Sequence, residues 1–273
     1  MREDFLNKVV EQKKADIQAA RKTRTEESLR REAEAREDRR PFIDRLTPTK
    51  ARDINIIAEV KRASPSKGDI RMDLDAAQLA AAYEHGGAAA VSVLTEPYWF
   101  KGSIADLQAA RAAVSLPVLR KDFIFEPYQI YEAAVAGADA VLLIVALLGP
   151  AQLNEYLALC ESIGLDALVE IHSPADLETA MGSEARLIGI NNRNLRTLET
   201  DIRIAIRMAE RLAPGQIPVA ASGIRTRGDI ETNMACGICS FLIGEHLVRA
   251  DDPAGFLREL TAPPNPSPLR GEG

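Results

Sequence analysis

The chain has 273 residues, of which 46% are hydrophobic, and a formal net charge of −6. This length and apolar content suit one large globular domain, and the acidic balance disfavours a nucleic-acid partner, because such proteins usually present a basic face. No apolar run approaches the roughly 18 residues that a membrane span needs, and the highly charged start lacks the apolar region of a signal peptide. We therefore expect a cytoplasmic protein that binds neither nucleic acid nor membrane.

The first 48 residues differ in character from the rest of the chain. They are charged and helix-prone, and Phe5, Val9 and Ile17 recur at helical spacing. This pattern predicts an N-terminal extension over residues 1–48, with one or two helices that lie across one end of the main domain. The charged stretch 36–40 is predicted to be a solvated face.

From residue 54 onward, short runs rich in β-branched residues alternate with segments of helical periodicity. Ser173 before Pro174 is typical of a helix start. Glycines mark four predicted helix ends, at Gly86, Gly137, Gly164 and Gly182. The predicted strands occupy residues 54–60, 88–94, 117–120, 140–145, 167–171, 187–191, 218–222 and 240–244.

Strand–helix alternation repeated eight times predicts parallel strands with crossover helices, and this number of units favours a closed α/β barrel, the (β/α)8 TIM barrel. We place the catalytic domain at residues 49–262. No G-x-G-x-x-G follows the first strand, which removes the main sequence argument for a dinucleotide-binding fold. The Pro-rich residues 263–273 are predicted to be a disordered tail.

Ionisable side chains fall at the carboxyl ends of predicted strands, where enzymes with this fold form their active sites. Glu59 and Lys61 lie two residues apart and share a face with Ile57, which makes that face the one inside the barrel. An exposed strand end with a local ion pair is the alternative explanation. Lys121 ends the third strand, and Glu170 stands inside an otherwise apolar fifth strand, where a solvated position is hardest to defend.

Other polar residues extend this set. Asn191 and Arg193 end the sixth strand, again two residues apart. No cysteine–histidine or serine–histidine pairing suggests a nucleophilic triad, and the lysines would repel a metal ion, with only His172 and His246 near strand ends. The combination favours acid–base chemistry without metal or cofactor.

The three cysteines, Cys160, Cys236 and Cys239, are too few for a disulfide framework. Cys236 and Cys239 form a C-x-x-C, which could serve redox chemistry or half of a zinc site, but zinc would need two more ligands at workable spacing. We interpret them as small apolar fillers at the end of a helix and the start of a strand.

Glycine-containing turns follow three of the predicted strands. The seventh strand ends in Ser222-Gly223 and the eighth in Gly244-Glu245, and the stretch 64–68 follows the first. Glycine lets backbone N–H groups approach an anion, and the loops after strands seven and eight are the usual phosphate site of this fold. Each turn alone could equally lack a ligand. Together they predict a phosphorylated small-molecule substrate.

Seven stretches resemble the indole-3-glycerol phosphate synthase family and occur in the family's order across residues 54–260. They are AEVKRASPSKG (58–68), SVLTEPYWFKGS (92–103), VLRKDFIFEPYQIY (118–131), LVEI (168–171), GINNRNL (189–195), ASGI (221–224) and FLIGEHL (241–247). The resemblance implies ring closure of 1-(2-carboxyphenylamino)-1-deoxyribulose 5-phosphate with loss of CO2 and water. The enzyme would be a carboxy-lyase of tryptophan biosynthesis without cofactors, and we expect a monomer or a weak homo-oligomer.

The resemblance also implies roles for single residues. Lys121 would be the general acid that protonates the substrate ketone, if burial and neighbouring positive charge lower its pKa towards neutrality. Glu170 would be the general base, and the pair Glu59 and Lys61 would assist loss of the hydroxyl, although which lysine serves which step stays open. The implied catalytic set, with two orienting residues at its end, is Glu59, Lys61, Lys121, Glu170, Asn191 and Ser222.

The implied substrate-binding set has three parts. Arg193 would contact the anthranilate group. The apolar walls would be Pro65, Phe100, Phe123 and Leu142. The phosphate site would comprise Ser64, Gly223, Leu242, Gly244 and Glu245. Glu245 would bind through its backbone, because its carboxylate would repel the phosphate.

One departure and two alternatives accompany this interpretation. Ala221 stands where the family often has a glutamate, so any catalytic share of that glutamate is absent or supplied elsewhere. A related barrel enzyme such as a phosphoribosylanthranilate isomerase would use a cysteine at a strand end, and none of the three cysteines lies at a carboxyl end. A barrel that binds sugar phosphates without catalysis should have lost the ionisable groups at its mouth.

Overall fold

The computed structural model describes residues 2–48, 53–193 and 199–262, without the side chains of residues 2–4. Eight parallel strands form a closed barrel, in which each strand pairs with its neighbours in chain order and the first pairs with the eighth. The barrel strands are Asn55–Val60, Ala90–Leu94, Val118–Lys121, Ala140–Ile144, Asp166–Ile171, Leu187–Asn191, Ile217–Ala221 and Ser240–Ile243. The predicted TIM barrel is confirmed.

Helices surround the barrel and connect its strands. They are Ala76–His85, Ile104–Ala113, Pro127–Val135, Pro150–Ser162, Pro174–Met181, Arg203–Ala209, Arg227–Met234, Glu245–Arg249 and Pro253–Thr261. The predicted boundaries hold at Ser173, whose side chain accepts the N–H of Asp176, and at the glycines, of which Gly137 (φ 95°) and Gly164 (φ 65°) lie in the left-handed region. A short hairpin, Ala63–Ser64 with Gly68–Asp69, follows the first strand.

Alternate residues of each strand face opposite layers of the core. Inward-facing side chains such as Ile57, Leu119 and Leu168 form a cluster inside the barrel, and their neighbours, such as Ile56 and Val169, pack against the helices. Because both faces are buried, the strands are almost continuously apolar. This is why a charged residue within a strand indicates a specialised position.

Among the described residues, three helices precede the barrel rather than the predicted one or two: Arg2–Thr23, Glu26–Glu34 and Phe42–Leu46. The last buries Phe42 and Leu46 against the inward-facing cluster, and the Phe42 N–H donates to Asp166, at the start of the fifth strand. The first instead reaches the opposite end of the barrel, where the Phe5 ring lies 6.1 Å from that of Phe123. The prediction that the extension lies across one end is therefore wrong, because separate apolar segments cover both ends.

The predicted solvated face at 36–40 is also wrong for two of its arginines. Arg36 donates to the carbonyl oxygens of Ala134 (3.1 Å), Gly137 (3.3 Å) and Ala138, and it pairs with Asp139 (3.1 Å). Arg40 donates to Leu116 O (2.7 Å). These guanidinium groups thus donate to backbone carbonyl groups at and just beyond the end of helix Pro127–Val135 and before the third strand.

Among the described residues, none of the helices combines the length and the apolar character needed to cross a bilayer. Cys239 is buried, as expected of an apolar filler, whereas Cys236 is exposed, so this interpretation is wrong for Cys236. The predicted tail, residues 263–273, lies outside the described residues.

Candidate active site

A cavity of about 1070 Å³ opens at the carboxyl ends of the barrel strands. Every residue that the sequence predicts for the site lines this cavity, from both the catalytic and the substrate-binding sets. The closed barrel explains the convergence, because parallel strands bring their carboxyl ends to the same rim. The roles of these residues remain predictions.

Two of the ion pairs in the cavity join residues of the predicted catalytic set. Lys61 Nζ is 2.5 Å from Glu59 Oε1, and Lys121 Nζ is 3.3 Å from Glu170 Oε2. The two glutamates are nearly fully buried, at 4% and 5% exposure. A buried carboxylate is stable only with a partner, and here each has an ammonium group within reach.

These contacts set the charge state of the second pair. Burial alone would lower the pKa of Lys121, but Glu170 and then Glu59 outweigh it and raise that pKa above its ordinary value. Burial would raise the pKa of Glu170, but Lys121 and His172 outweigh it and hold that pKa well below its usual range. The expectation of a lowered lysine pKa is therefore wrong, because its neighbours are carboxylates rather than cations.

His172 is a site residue that the sequence interpretation considered only as a metal ligand. Its Nε2 lies 3.1 Å from Glu170 Oε1, and its side chain is 4% exposed. The Nδ2 atom of Asn191 lies 3.2 Å from the same ring nitrogen and 3.5 Å from Glu170 Oε1. Its spacing in the sequence could have indicated that His172 belongs to the site, because it stands two residues after Glu170 and so continues the same face of the strand.

The corner around strands seven and eight has unusual backbone geometry. Ser222 (φ 67°) and Gly223 (φ 83°) are consecutive left-handed residues. A side chain at Gly244 would collide with the carboxylate of Glu59 and displace it. The Glu245 carboxylate is 3.3 Å from Arg249 Nε and is thus engaged along its own helix.

Aromatic rings form one wall of the cavity. The ring centroids of Phe100 and Phe123 lie 6.2 Å apart. Phe5, from the first helix, lies 5.5 Å from Trp99; both line the cavity and were not predicted. No local period could reveal them, because the contact joins segments more than 90 residues apart in the chain.

Buried Glu96 shapes the loop that carries two of these rings. Its carboxylate accepts N–H groups from Tyr98 (2.8 Å), Trp99 (2.7 Å) and Phe100 (3.0 Å). A carboxylate that accepts several backbone N–H groups holds a loop in one conformation. The aromatic wall therefore rests on a buried charge that does not itself line the cavity.

Buried Asp122 connects the first helix to the site. Its carboxylate lies 2.7 Å from Lys13 Nζ, 2.6 Å from Thr95 Oγ1 and 3.1 Å from Arg120 Nη2, and it accepts the N–H of Phe123 at 2.8 Å. Burial would raise the pKa of Asp122, but Lys13 and then Arg120 outweigh it and lower that pKa. The same carboxylate thus fixes the helix and the start of the loop that holds Phe123.

We expect Lys13→Met to lower the free energy of unfolding by about 3 kcal/mol, the low end for a broken buried ion pair, because Asp122 keeps Arg120 as a partner. Urea unfolding at pH 7 measures this difference. Since the pKa of Asp122 is lowered by folding, its contribution is present above the unfolded value of about 3.9 and is lost as the pH falls through the folded value. The difference should therefore shrink in acid.

The matched control is Lys14→Met on the next residue, whose exposed pair with Glu11 spans 2.9 Å. Exposed pairs contribute about 0–1 kcal/mol, so this variant should unfold almost like the parent. Equal destabilisation by the two substitutions would contradict the anchoring role of Lys13.

Known proteins resemble this chain in sequence and in fold. A family model described as indole-3-glycerol phosphate synthase matches residues 6–260. The chain is 54% identical over 258 residues to the indole-3-glycerol phosphate synthase of Desulfosudis oleivorans, covering 94% of this chain and 98% of the relative. It is 51% identical over 257 residues to the protein of the same name from Syntrophobacter fumaroxidans, covering 94% and 97%.

Solved structures with low sequence identity share the barrel. A mutant tryptophan synthase α-subunit from Pyrococcus furiosus aligns with a TM-score of 0.59 at 13% identity, covering 77% of this chain and 98% of that one. These likenesses bear on the fold alone, whereas the family match spans nearly the whole chain. The chain belongs to the indole-3-glycerol phosphate synthase family.

Proposed function

We propose that this protein converts 1-(2-carboxyphenylamino)-1-deoxyribulose 5-phosphate into indole-3-glycerol phosphate, CO2 and water, as a carboxy-lyase of tryptophan biosynthesis. The observation that carries the proposal is the Lys121–Glu170 pair, 3.3 Å apart, in one cavity with Glu59 and Lys61. This pairing offers an acid and a base to one substrate. Family membership identifies the substrate on which they act.

The substrate is bound at both ends in this proposal. The phosphate lies against the Ser64 hydroxyl and the backbone N–H groups of Gly223, Gly244 and Glu245, with Leu242 beside it. Pro65, Phe100, Phe123 and Leu142 enclose the aromatic ring, and Arg193 faces the anthranilate group. Binding at both ends holds the ring carbon against the ketone, so the two reacting atoms are already in position and less entropy is lost in reaching the transition state.

The acid–base steps follow from the two ion pairs. Lys121 protonates the ketone oxygen while the carboxylate-bearing ring carbon forms the new C–C bond, and CO2 then leaves with the electron pair returning to the ring. Glu170 accepts the proton released as the indole forms. Glu59 and Lys61 assist departure of the hydroxyl as water, and Asn191 and Ser222 orient the reacting groups. No carboxylate at position 221 is needed in this scheme.

The oligomeric state and the cellular location of the enzyme belong to the same proposal. The proposed chemistry needs only residues of this chain, and the proposal includes a monomer or a weak homo-oligomer. A phosphorylated intermediate cannot cross a lipid bilayer unaided, because its charge is costly to desolvate. The proposal therefore includes a cytoplasmic location, in the same compartment as the reaction that supplies the substrate.

The proposal is tested by adding the carboxyphenylamino substrate to the purified protein and following indole absorbance together with CO2 release. We expect one CO2 for each indole formed. Turnover of phosphoribosylanthranilate instead would favour an isomerase, and binding of a reduced substrate analogue with no turnover of the substrate would favour an inactive binding protein.

We expect Ser64→Ala to raise KM by about 10–100-fold and to change kcat little, because a hydrogen bond to a charged group contributes about 1.5–3 kcal/mol to binding and is made equally in the transition state. Steady-state kinetics measure both constants. A substrate analogue without phosphate serves as the control, since it should bind the parent and the variant equally. A loss confined to kcat would contradict phosphate binding by Ser64.

A further inference from the structure

His172 is buried in the site and yet is not needed as an acid or base in the reaction above. Its Nε2 lies 3.1 Å from Glu170 Oε1, whereas Lys121 faces the other carboxylate oxygen, Oε2, at 3.3 Å. The two oxygens of Glu170 thus have different partners. One faces the proposed general acid, and the other faces a ring that no catalytic step uses.

The surroundings of the ring determine where its hydrogen lies. The Nδ1 atom is buried and has no hydrogen-bond partner among the described residues. A hydrogen on Nδ1 would leave a buried donor unpaired and would turn the Nε2 lone pair towards a carboxylate, and both are unfavourable. A hydrogen on Nε2 avoids both problems and donates to Glu170.

The Nδ2 of Asn191 lies 3.2 Å from His172 Nε2, so with a hydrogen on Nε2 both nitrogens are donors and both converge on Oε1 of Glu170. The Oδ1 of Asn191 accepts the backbone N–H of Arg193 at 3.0 Å, so its Nδ2 must point the other way, towards Glu170 Oε1 at 3.5 Å. That distance is at the limit of a hydrogen bond. His172 is therefore the stronger of the two donors to this oxygen.

We propose that His172 is a positioning residue: its Nε2–H holds Oε1 of Glu170 so that Oε2 stays directed at Lys121 and the substrate. The inference rests on the proposed function. Once Lys121 has given its proton to the ketone, Glu170 loses its neighbouring positive charge, and the hydrogen bond from His172 is the main contact that still fixes the carboxylate. Without it, the base could rotate away at the step that needs it.

The kinetic test compares two substitutions of His172. His172→Leu removes the donor, and we expect kcat to fall by about 10–100-fold with little change in KM, as for loss of a hydrogen bond to a charged group. His172→Gln places an amide N–H near the former Nε2 and should recover most of kcat. An equal loss in both variants, or a change in KM alone, would overturn the proposal.

A double-mutant cycle separates positioning from a general structural effect. If His172 acts through Glu170, then His172→Leu should lower kcat by less than about 3-fold in a Glu170→Gln background, because the base that it positions is already gone. Melting temperatures of all variants show whether they fold. A full, additive loss in that background contradicts action through Glu170.

The hydrogen bond itself can be tested without turnover. In protein labelled with ¹⁵N-histidine, the His172 signal is assigned by its absence from His172→Gln, and we expect its proton on Nε2. A proton on Nδ1 alone would refute the inference even in an active enzyme. Failure of the proposed function is distinguishable, because the parent would then form no indole while the nitrogen spectrum still reported on His172.

Discussion

Lys121→Ala is expected to lower kcat by about 10²–10⁴-fold, the usual contribution of a general acid, and to change KM much less. The lysine is the proposed source of the proton that neutralises the developing alkoxide as the ring closes. Glu170 and Glu59 raise the pKa of Lys121, which favours the protonated form that this step needs. Steady-state kinetics with the carboxyphenylamino substrate measure the effect.

Lys121→Arg is the control that separates the proton from the charge. Arginine keeps a cation beside Glu170 but releases a proton far less readily, since its pKa is above about 12. We expect this variant to fold and bind substrate like the parent, while its kcat remains as low as that of the alanine variant. Parent-like kcat with either substitution would remove Lys121 from the chemistry.

The architecture and much of the site could be predicted from the sequence because they rest on local patterns. The strands are apolar on both faces, so the exceptions Glu59 and Glu170 indicated where the cavity lies. A closed barrel then requires every strand end to face the same rim. Residues after different strands, such as Lys121 and Asn191, therefore had to meet.

The features that could not be predicted depend on contacts between distant segments. Phe5 lines the site from a helix that the Lys13–Asp122 pair helps to hold there. Arg36 is ordered by carbonyl groups about 100 residues away. A periodic pattern within a short stretch of sequence does not indicate contacts between residues so far apart in the chain. Phe5, Lys13 and Arg36 all belong to the N-terminal extension, and the sequence predicted the contacts of that segment least well.

The pKa of Lys121 was mispredicted for a related reason. The chemistry of a general acid led to the expectation of cationic neighbours, but Glu170 and Glu59 are the groups that face it. Whether burial or an ion pair has the larger effect on the pKa of a lysine depends on distances of a few ångströms between the charged groups. Such distances follow from the packing of strands, which the sequence pattern does not contain.

Glu170→Gln should lower kcat by about 10²–10⁴-fold, because glutamine keeps the shape of the side chain but cannot accept the proton released as the indole forms. It should also change the pH dependence of what activity remains. Of the two carboxylates that raise the pKa of Lys121, Glu170 has the larger effect. Its removal therefore lowers that pKa, although Glu59 stays in place.

Activity that needs protonated Lys121 is lost as the pH rises through the lysine pKa, so the basic limb of the pH–rate profile should move to lower pH in Glu170→Gln. Rates measured from pH 6 to 11 in parent and variant test this shift. Glu178→Gln, which breaks an exposed pair with Arg211 outside the barrel, is the control and should leave the profile unchanged. An unmoved basic limb in Glu170→Gln would show that the two side chains are not coupled in the working enzyme, and parent-like turnover would show that the proton goes to another base.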